Sequence, residues 1–210
     1  MKGKIIVLEG TDAVGKRTQA GLLAESLRRK GRKVKIINFP TYESTFGRLI
    51  KEYLHGNMGF ALPLEMVATL YALDRYQYKD SLFSALKSGE ILVMNRYVQS
   101  NLYQAAKIPG RKERDKFIEW MHGMESRLPA ADVVVFLNLP ISISEKLLLR
   151  RGDRIDVNEK DRDYQERVRK IYLSQAKKHH WMVVECAKGG RIRNKDEIAS
   201  EILQKIQSRI

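Results

Sequence analysis

A chain of 210 residues, 43% hydrophobic and 30% charged, suffices for one domain (residues 1–210) with a full core and is not of disordered composition. Its formal charge of +14 suits anionic partners. However, the Lys and Arg residues are scattered, with no zinc-finger spacing, RNP aromatic motif or basic zipper, so nucleic acid is not expected as the main ligand.

The first apolar run, in Lys4–Glu9, is short and β-rich and reads as a strand. Glu9-Gly10-Thr11-Asp12-Ala13-Val14-Gly15-Lys16-Arg17-Thr18 follows and opens a helix. Further strands are expected at Lys33–Asn38, Ile91–Asn95, Asp132–Asn138 and Trp181–Cys186, each nearly continuous in apolar residues, as in strands covered on both faces. Helical spacing links Phe46, Leu49, Ile50, Tyr53 and Leu54. It recurs in Phe117, Trp120, Met121 and Met124, and in Ile198, Ile202, Ile206 and Ile210. Five strands separated by helices predict an α/β three-layer sandwich with a five-stranded parallel sheet. Arg150 to Asp163 is the one charge-dense polar stretch and reads as a loop between two helices. The longest apolar runs, Ile5 to Leu8 and Val133 to Leu137, fall far short of the roughly 20 residues a membrane span needs. The segment before the first run is too short for a signal-peptide core. The single Cys186 excludes an internal disulfide, and a cytoplasmic location is expected.

The G-x-x-x-x-G-K core from Gly10 to Lys16 is a phosphate-binding loop. Its glycines let backbone N–H groups close on phosphate oxygens, the helix dipole faces them, and Lys16 reaches the β- and γ-phosphates. Gly10 to Thr18 are therefore the expected ATP-binding residues. The hydroxyl residue that usually follows the lysine and ligates Mg²⁺ is replaced by Arg17. Thr18, one residue on, points about 100° away on a helix.

Downstream stand Phe39-Pro40-Thr41-Tyr42-Glu43-Ser44, then Tyr71-Ala72-Leu73-Asp74-Arg75-Tyr76. The third strand is followed by Asn95-Arg96-Tyr97-Val98-Gln99-Ser100-Asn101-Leu102-Tyr103. In this order, from residue 4 to about residue 175, the chain resembles the thymidylate kinases, P-loop nucleoside-monophosphate kinases. The resemblance implies a P-loop NTPase fold with a lid at about residues 150–163, transfer of the γ-phosphoryl of ATP to dTMP, Mg²⁺ as cofactor and a homodimer. It places Tyr71 against the thymine base, Arg75 at O4 and Arg96 on the monophosphate. Phe39 and Tyr42 line the acceptor site, with Ser100, Asn101 and Tyr103 near base and sugar. Asp12 looks toward acceptor and metal, and Glu159 is a second candidate metal ligand. Arg96 is a catalytic cation with Lys16. Ala13 fills the place where some members carry a loop arginine, so the lid arginines take that part; Arg151 and Arg154 are the candidates, with Arg150 beside them. Asn95 replaces the family's aspartate before the Arg-Tyr pair. A kinase for another deoxynucleotide and a catalytically weak nucleotide-binding protein remain as alternatives.

Overall fold

The computed structural model describes residues 3–151 and 161–210, without the side chains of 150 and 151. Five parallel strands form the sheet: β1 (Lys4–Glu9), β2 (Val34–Asn38), β3 (Ile91–Asn95), β4 (Val133–Asn138) and β5 (Met182–Glu185). Their order is β2-β3-β1-β4-β5, so β1, which leads into the phosphate loop, lies at the centre. All five expected strands are present, with ends shifted by at most one residue.

Strand periodicity sorts the core into layers. Ile6 and Leu8 of β1, with Val93, Val135 and Leu137, face the cluster shared with α1 (Lys16–Arg29) and α9 (Lys195–Ile206). Ile5 and Val7, with Leu92, Met94 and Val134, face the other side, where Leu82 and Ala85 of α4 (Lys79–Lys87) cover them. Beyond β4, Phe136 joins a third cluster with Leu102 and Tyr103 of α5 (Leu102–Ala105), Phe117 and Met121 of α6 (Arg111–Met124), and Tyr172 of α8 (Arg162–Lys178). Phe136 and Tyr172 stack with ring centroids 5.1 Å apart. With both faces covered, every residue of β4 is buried, which explains its unbroken apolar sequence.

The helical stripes are present in part. In α2 (Thr45–His55), Ile50 and Leu54 are buried, but Leu49 is exposed. Trp120 of α6 is likewise exposed, and Ile210 lies beyond the end of α9. The remaining α-helices are α3 (Leu64–Tyr76) and α7 (Ile141–Arg151). One small feature was not expected from sequence. Ala187–Lys188 and Arg191–Ile192 pair antiparallel as β6 and β7 around Gly189 and Gly190, both left-handed. A Gly-Gly pair is a hairpin signal in its own right.

Candidate active site

The sheet's central strand delivers the phosphate loop. At Gly10 (φ 156) an added Cβ would sit 2.8 Å from both the Leu137 carbonyl oxygen and Val14 Cγ1, so glycine is what lets the loop pass close to β4. Ala13 and Gly15 are left-handed, at φ 57 and 88. Alternation of backbone hand groups successive N–H donors into an anion-binding concavity. Lys16 is buried and donates from Nζ to the carbonyls of Gly10 (3.0 Å) and Thr11 (2.7 Å), holding its ammonium within the loop. Val14 turns its side chain into the core, which leaves only its backbone for a nucleotide. Arg17 and Thr18 are exposed.

The loop's acid meets the cation at the end of β3. Arg96 is left-handed (φ 68), and its Nη2 donates to Oδ1 of Asp12. The guanidinium lies over the Tyr103 ring, 4.7 Å from the centroid. Tyr103 also donates from its hydroxyl to Oδ2 of Asp12 at 3.1 Å, and Gln165 Nε2 donates to the same oxygen at 3.1 Å. Burial pushes the Asp12 carboxyl up; Arg96 and Lys16, then Tyr103 and Gln165, outweigh it and hold the group below its ordinary value. Burial works against the charge of Arg96, but Tyr103 and Asp12 keep its pKa well above the usual range. The ion pair is thus fully charged at neutral pH. Tyr164, next to Gln165, donates to the Tyr103 carbonyl at 2.6 Å, so the first turn of α8 is tied to both sides of this junction.

Arg75, expected at the base, is 1% exposed. Its Nη1 donates to Glu125 Oε1 (2.5 Å) and Asn101 Oδ1 (3.1 Å), while Asn101 Nδ2 donates to Glu125 Oε2. The Nε of Arg75 is buried without a hydrogen-bond partner among the described residues. Tyr71, one turn before Arg75, is half-buried, and Tyr42 is exposed. Asp74, also on α3, accepts from the backbone N–H (2.9 Å) and hydroxyl (2.5 Å) of Thr41 and from the Ser44 hydroxyl (2.9 Å). It clamps the turn that carries Tyr42.

Two residues expected at the acceptor site turn inward in the structure. Phe39 is a core residue, 3% exposed, with its ring between Tyr78 and Tyr97 at 6.0 and 5.9 Å; bulk and apolarity place it inside. Ser100 turns inward, its hydroxyl 2.9 Å from both Glu9 oxygens, because a buried carboxylate needs donors. Arg154 and Glu159 lie outside the described residues, and Arg151 is described only in its backbone. Glu9, Glu125 and Gln165, which bond to Ser100, Arg75 and Asp12, were not singled out from sequence. The buried acids had little signal: Glu9 ends an apolar run, a pattern that surface acids share, and Glu125 is followed by polar residues.

A family model described as thymidylate kinase matches residues 8–198. The chain belongs to the thymidylate kinase family. A probable thymidylate kinase of Pyrococcus abyssi is 35% identical over 181 residues, covering 84% of each chain. The thymidylate kinase of Danio rerio is 28% identical over 187 residues, covering 89% of this chain and 84% of its own. The solved thymidylate kinase of Candida albicans superposes with a TM-score of 0.77 at 25% identity, over 99% of this chain and 92% of that one. The thymidylate kinase fold, a P-loop NTPase sandwich, is therefore the fold seen here, and the family's members are ATP-dependent phosphotransferases.

Proposed function

We propose that the chain transfers the γ-phosphoryl group of ATP to dTMP, giving dTDP and ADP, at the junction of Asp12 and Arg96. The activity is that of the family to which the chain belongs. The observation that carries the residue assignment is the left-handed corner at Arg96, which brings its guanidinium onto the acid of the phosphate loop. Donor and acceptor phosphates repel each other, and a cation between them offsets that repulsion and aligns them for in-line transfer.

In this reading the loop N–H groups and Lys16 hold the ATP phosphates, and the Lys16 ammonium turns from its loop carbonyls to them. Arg96 exchanges Asp12 for the acceptor phosphate, where its planar fork suits two oxygens. Tyr103 stacks under the guanidinium and limits its swing. Tyr71 and Arg75 take the thymine base, with Asn101 fixed beside them, and Tyr42 borders the sugar side. Arg151 and Arg154 belong to a lid at about residues 150–163 and meet the transferring phosphoryl group. The start of α8, attached to Asp12 through Gln165, links that segment to the loop.

Mg²⁺ is the proposed cofactor. Among the described residues no group of three or more His, Cys, Asp or Glu could hold a metal ion. A single carboxylate, Asp12, fits a hard cation that keeps several waters and is held largely by substrate phosphates. When bound, Mg²⁺ supplies charge neutralisation on the phosphate oxygens. Asp12 would hold it, and Glu159 is the second candidate. Asn95 Oδ1, buried without a hydrogen-bond partner among the described residues, is an acceptor positioned at the same strand end.

A homodimer packed through helices beside the acceptor site is also part of the proposal. Leu49 of α2, Met66 and Leu73 of α3 and Trp120 of α6 are exposed large apolar residues, the kind an interface covers. A cytoplasmic location fits Cys186, a buried thiol pushed up to about 12 by burial. Among the described residues no helix is long and apolar enough to cross a membrane. Lys16→Ala tests the assignment of the loop. It should leave the fold intact and lower phosphoryl transfer by about 10²-fold or more; near-native turnover would remove Lys16 from the mechanism.

A further inference from the structure

Glu9 is fully buried at the end of β1, directly before the phosphate loop. Its Oε1 accepts from the backbone N–H of Tyr97 at 2.9 Å. The Ser100 hydroxyl lies 2.9 Å from both oxygens, and the Tyr172 hydroxyl donates to Oε2 at 2.8 Å. No salt bridge to Glu9 is present among the described residues; these donors supply what a buried carboxylate requires. They come from three places: the corner after β3, the short 3₁₀ helix Val98–Asn101, and the middle of α8.

The corner is the part under strain. Arg96 has φ 68, a conformation that a residue with a side chain adopts at a cost and keeps only when its surroundings impose it. The backbone on either side is fixed by two bonds to β1. Arg96 N–H donates to the Leu8 carbonyl at 3.1 Å, and the next N–H, that of Tyr97, goes to Glu9. The first is an ordinary backbone contact, and the second depends on a side chain. Burial and the neighbouring Glu9 charge push the Tyr172 hydroxyl well above its usual value, so it stays protonated and keeps its proton for Glu9.

We propose that Glu9 is a positioning residue for Arg96: by holding the Tyr97 N–H and the Ser100 hydroxyl, its carboxylate locks the left-handed corner that aims the guanidinium at the phosphate loop. The inference rests on the reading of Arg96 as the acceptor-phosphate cation. Every hydrogen bond to Glu9 among the described residues comes from the protein itself, and its effect on acceptor use passes through Arg96. The bond from Tyr172 adds that α8 braces the same carboxylate, so the helix reaches the acceptor corner by a second route besides Gln165.

The test compares Glu9→Ala, Glu9→Gln, Arg96→Ala and the double variant Glu9→Ala/Arg96→Ala in steady-state kinetics with ATP and dTMP. Glu9→Ala leaves the Tyr97 N–H without its acceptor, and KM for dTMP should rise about tenfold, with KM for ATP within about twofold. Glu9→Gln keeps an oxygen for that N–H and should restore KM for dTMP to within about threefold of the parent. In the Arg96→Ala background Glu9→Ala should add less than about twofold, because the group through which it acts is gone. Equal losses for ATP and dTMP, no rescue by glutamine, or full additivity with Arg96→Ala would overturn the proposal. Should Glu9→Ala not fold, Tyr172→Phe removes one donor to Oε2 and keeps the ring. It should raise KM for dTMP about threefold and leave ATP alone, and an unchanged KM overturns the proposal. The underlying reading fails separately: Arg96→Ala would then leave dTMP kinetics unaltered.

Discussion

Arg75 and Glu125 are joined by a 2.5 Å ion pair in which only 2% of either side chain is exposed. Glu125 uses its other oxygen on Asn101, so one buried acid fixes two residues assigned to the base. Removing one partner of a buried pair leaves an uncompensated charge in a low dielectric. Glu125→Ala should therefore lose about 3–5 kcal/mol of unfolding free energy in urea titration. A loss under about 1 kcal/mol would mean that the pair contributes no more than an exposed one.

Gly47 in the first turn of α2 lies against the Thr41 carbonyl. An added Cβ would stand 1.9 Å from that oxygen and 2.4 Å from its carbon. The backbone must shift, and with it the turn that Asp74 clamps. Gly47→Ala should cost about 1–3 kcal/mol, as overpacking does, and raise KM for dTMP more than KM for ATP. Wild-type stability and unchanged dTMP kinetics would show that the turn is free to move.

The opposite end of the sheet carries a pH response. The rings of His122 and His179 are 6.4 Å apart. Burial first, then Lys178, lowers both below the ordinary value of 6.5. Besides His180 on the same turn, their surroundings include Glu125, Asp132, Arg209, Lys112, Asp115 and Glu119. A histidine whose folded pKa is depressed takes up its proton more readily in the unfolded chain. Its contribution is present above pH 6.5 and is lost as pH falls through the folded values. Urea midpoints should thus decline on acidification below the ordinary histidine value, and less so in His122→Asn/His179→Asn. A parallel decline in both proteins would assign the effect to other groups.

The three inner strands β1, β3 and β4 were legible because they are covered on both faces and therefore mostly apolar; β4 is the clearest case. The phosphate loop was legible because a close backbone approach demands glycine, as at Gly10. The inward turn of Phe39 and Ser100 was not legible, because a motif fixes where the backbone lies, not which way a side chain turns. Glu9 and Glu125 could not be found from spacing. Their donors come from Tyr97, Ser100 and Tyr172 in one case and from Arg75 and Asn101 in the other, brought together only by folding.

Asn95 Nδ2 donates to Asn38 Oδ1 at 3.0 Å, which ties the amide at the end of β3 to the end of β2. In Asn95→Asp a carboxylate would face that oxygen, and the Asn38 amide must turn over to donate instead. The new charge would then sit near the phosphates and beside Arg96. The Mg²⁺ concentration for half-maximal rate should fall, with turnover equal or faster. A higher Mg²⁺ requirement or slower turnover would show that the metal is organised without this position.

The most direct measurement is product formation from ATP with dTMP, dUMP, dCMP and thymidine, each followed by chromatography of the nucleotides together with ADP release. The assignment of a base-binding Arg75 and a phosphate-binding Arg96 predicts dTDP and ADP in equal amounts from dTMP. It also predicts the highest kcat/KM for dTMP and no phosphorylation of thymidine, which offers Arg96 no phosphate. ADP release without dTDP, or a preference for dCMP or thymidine over dTMP, would contradict it.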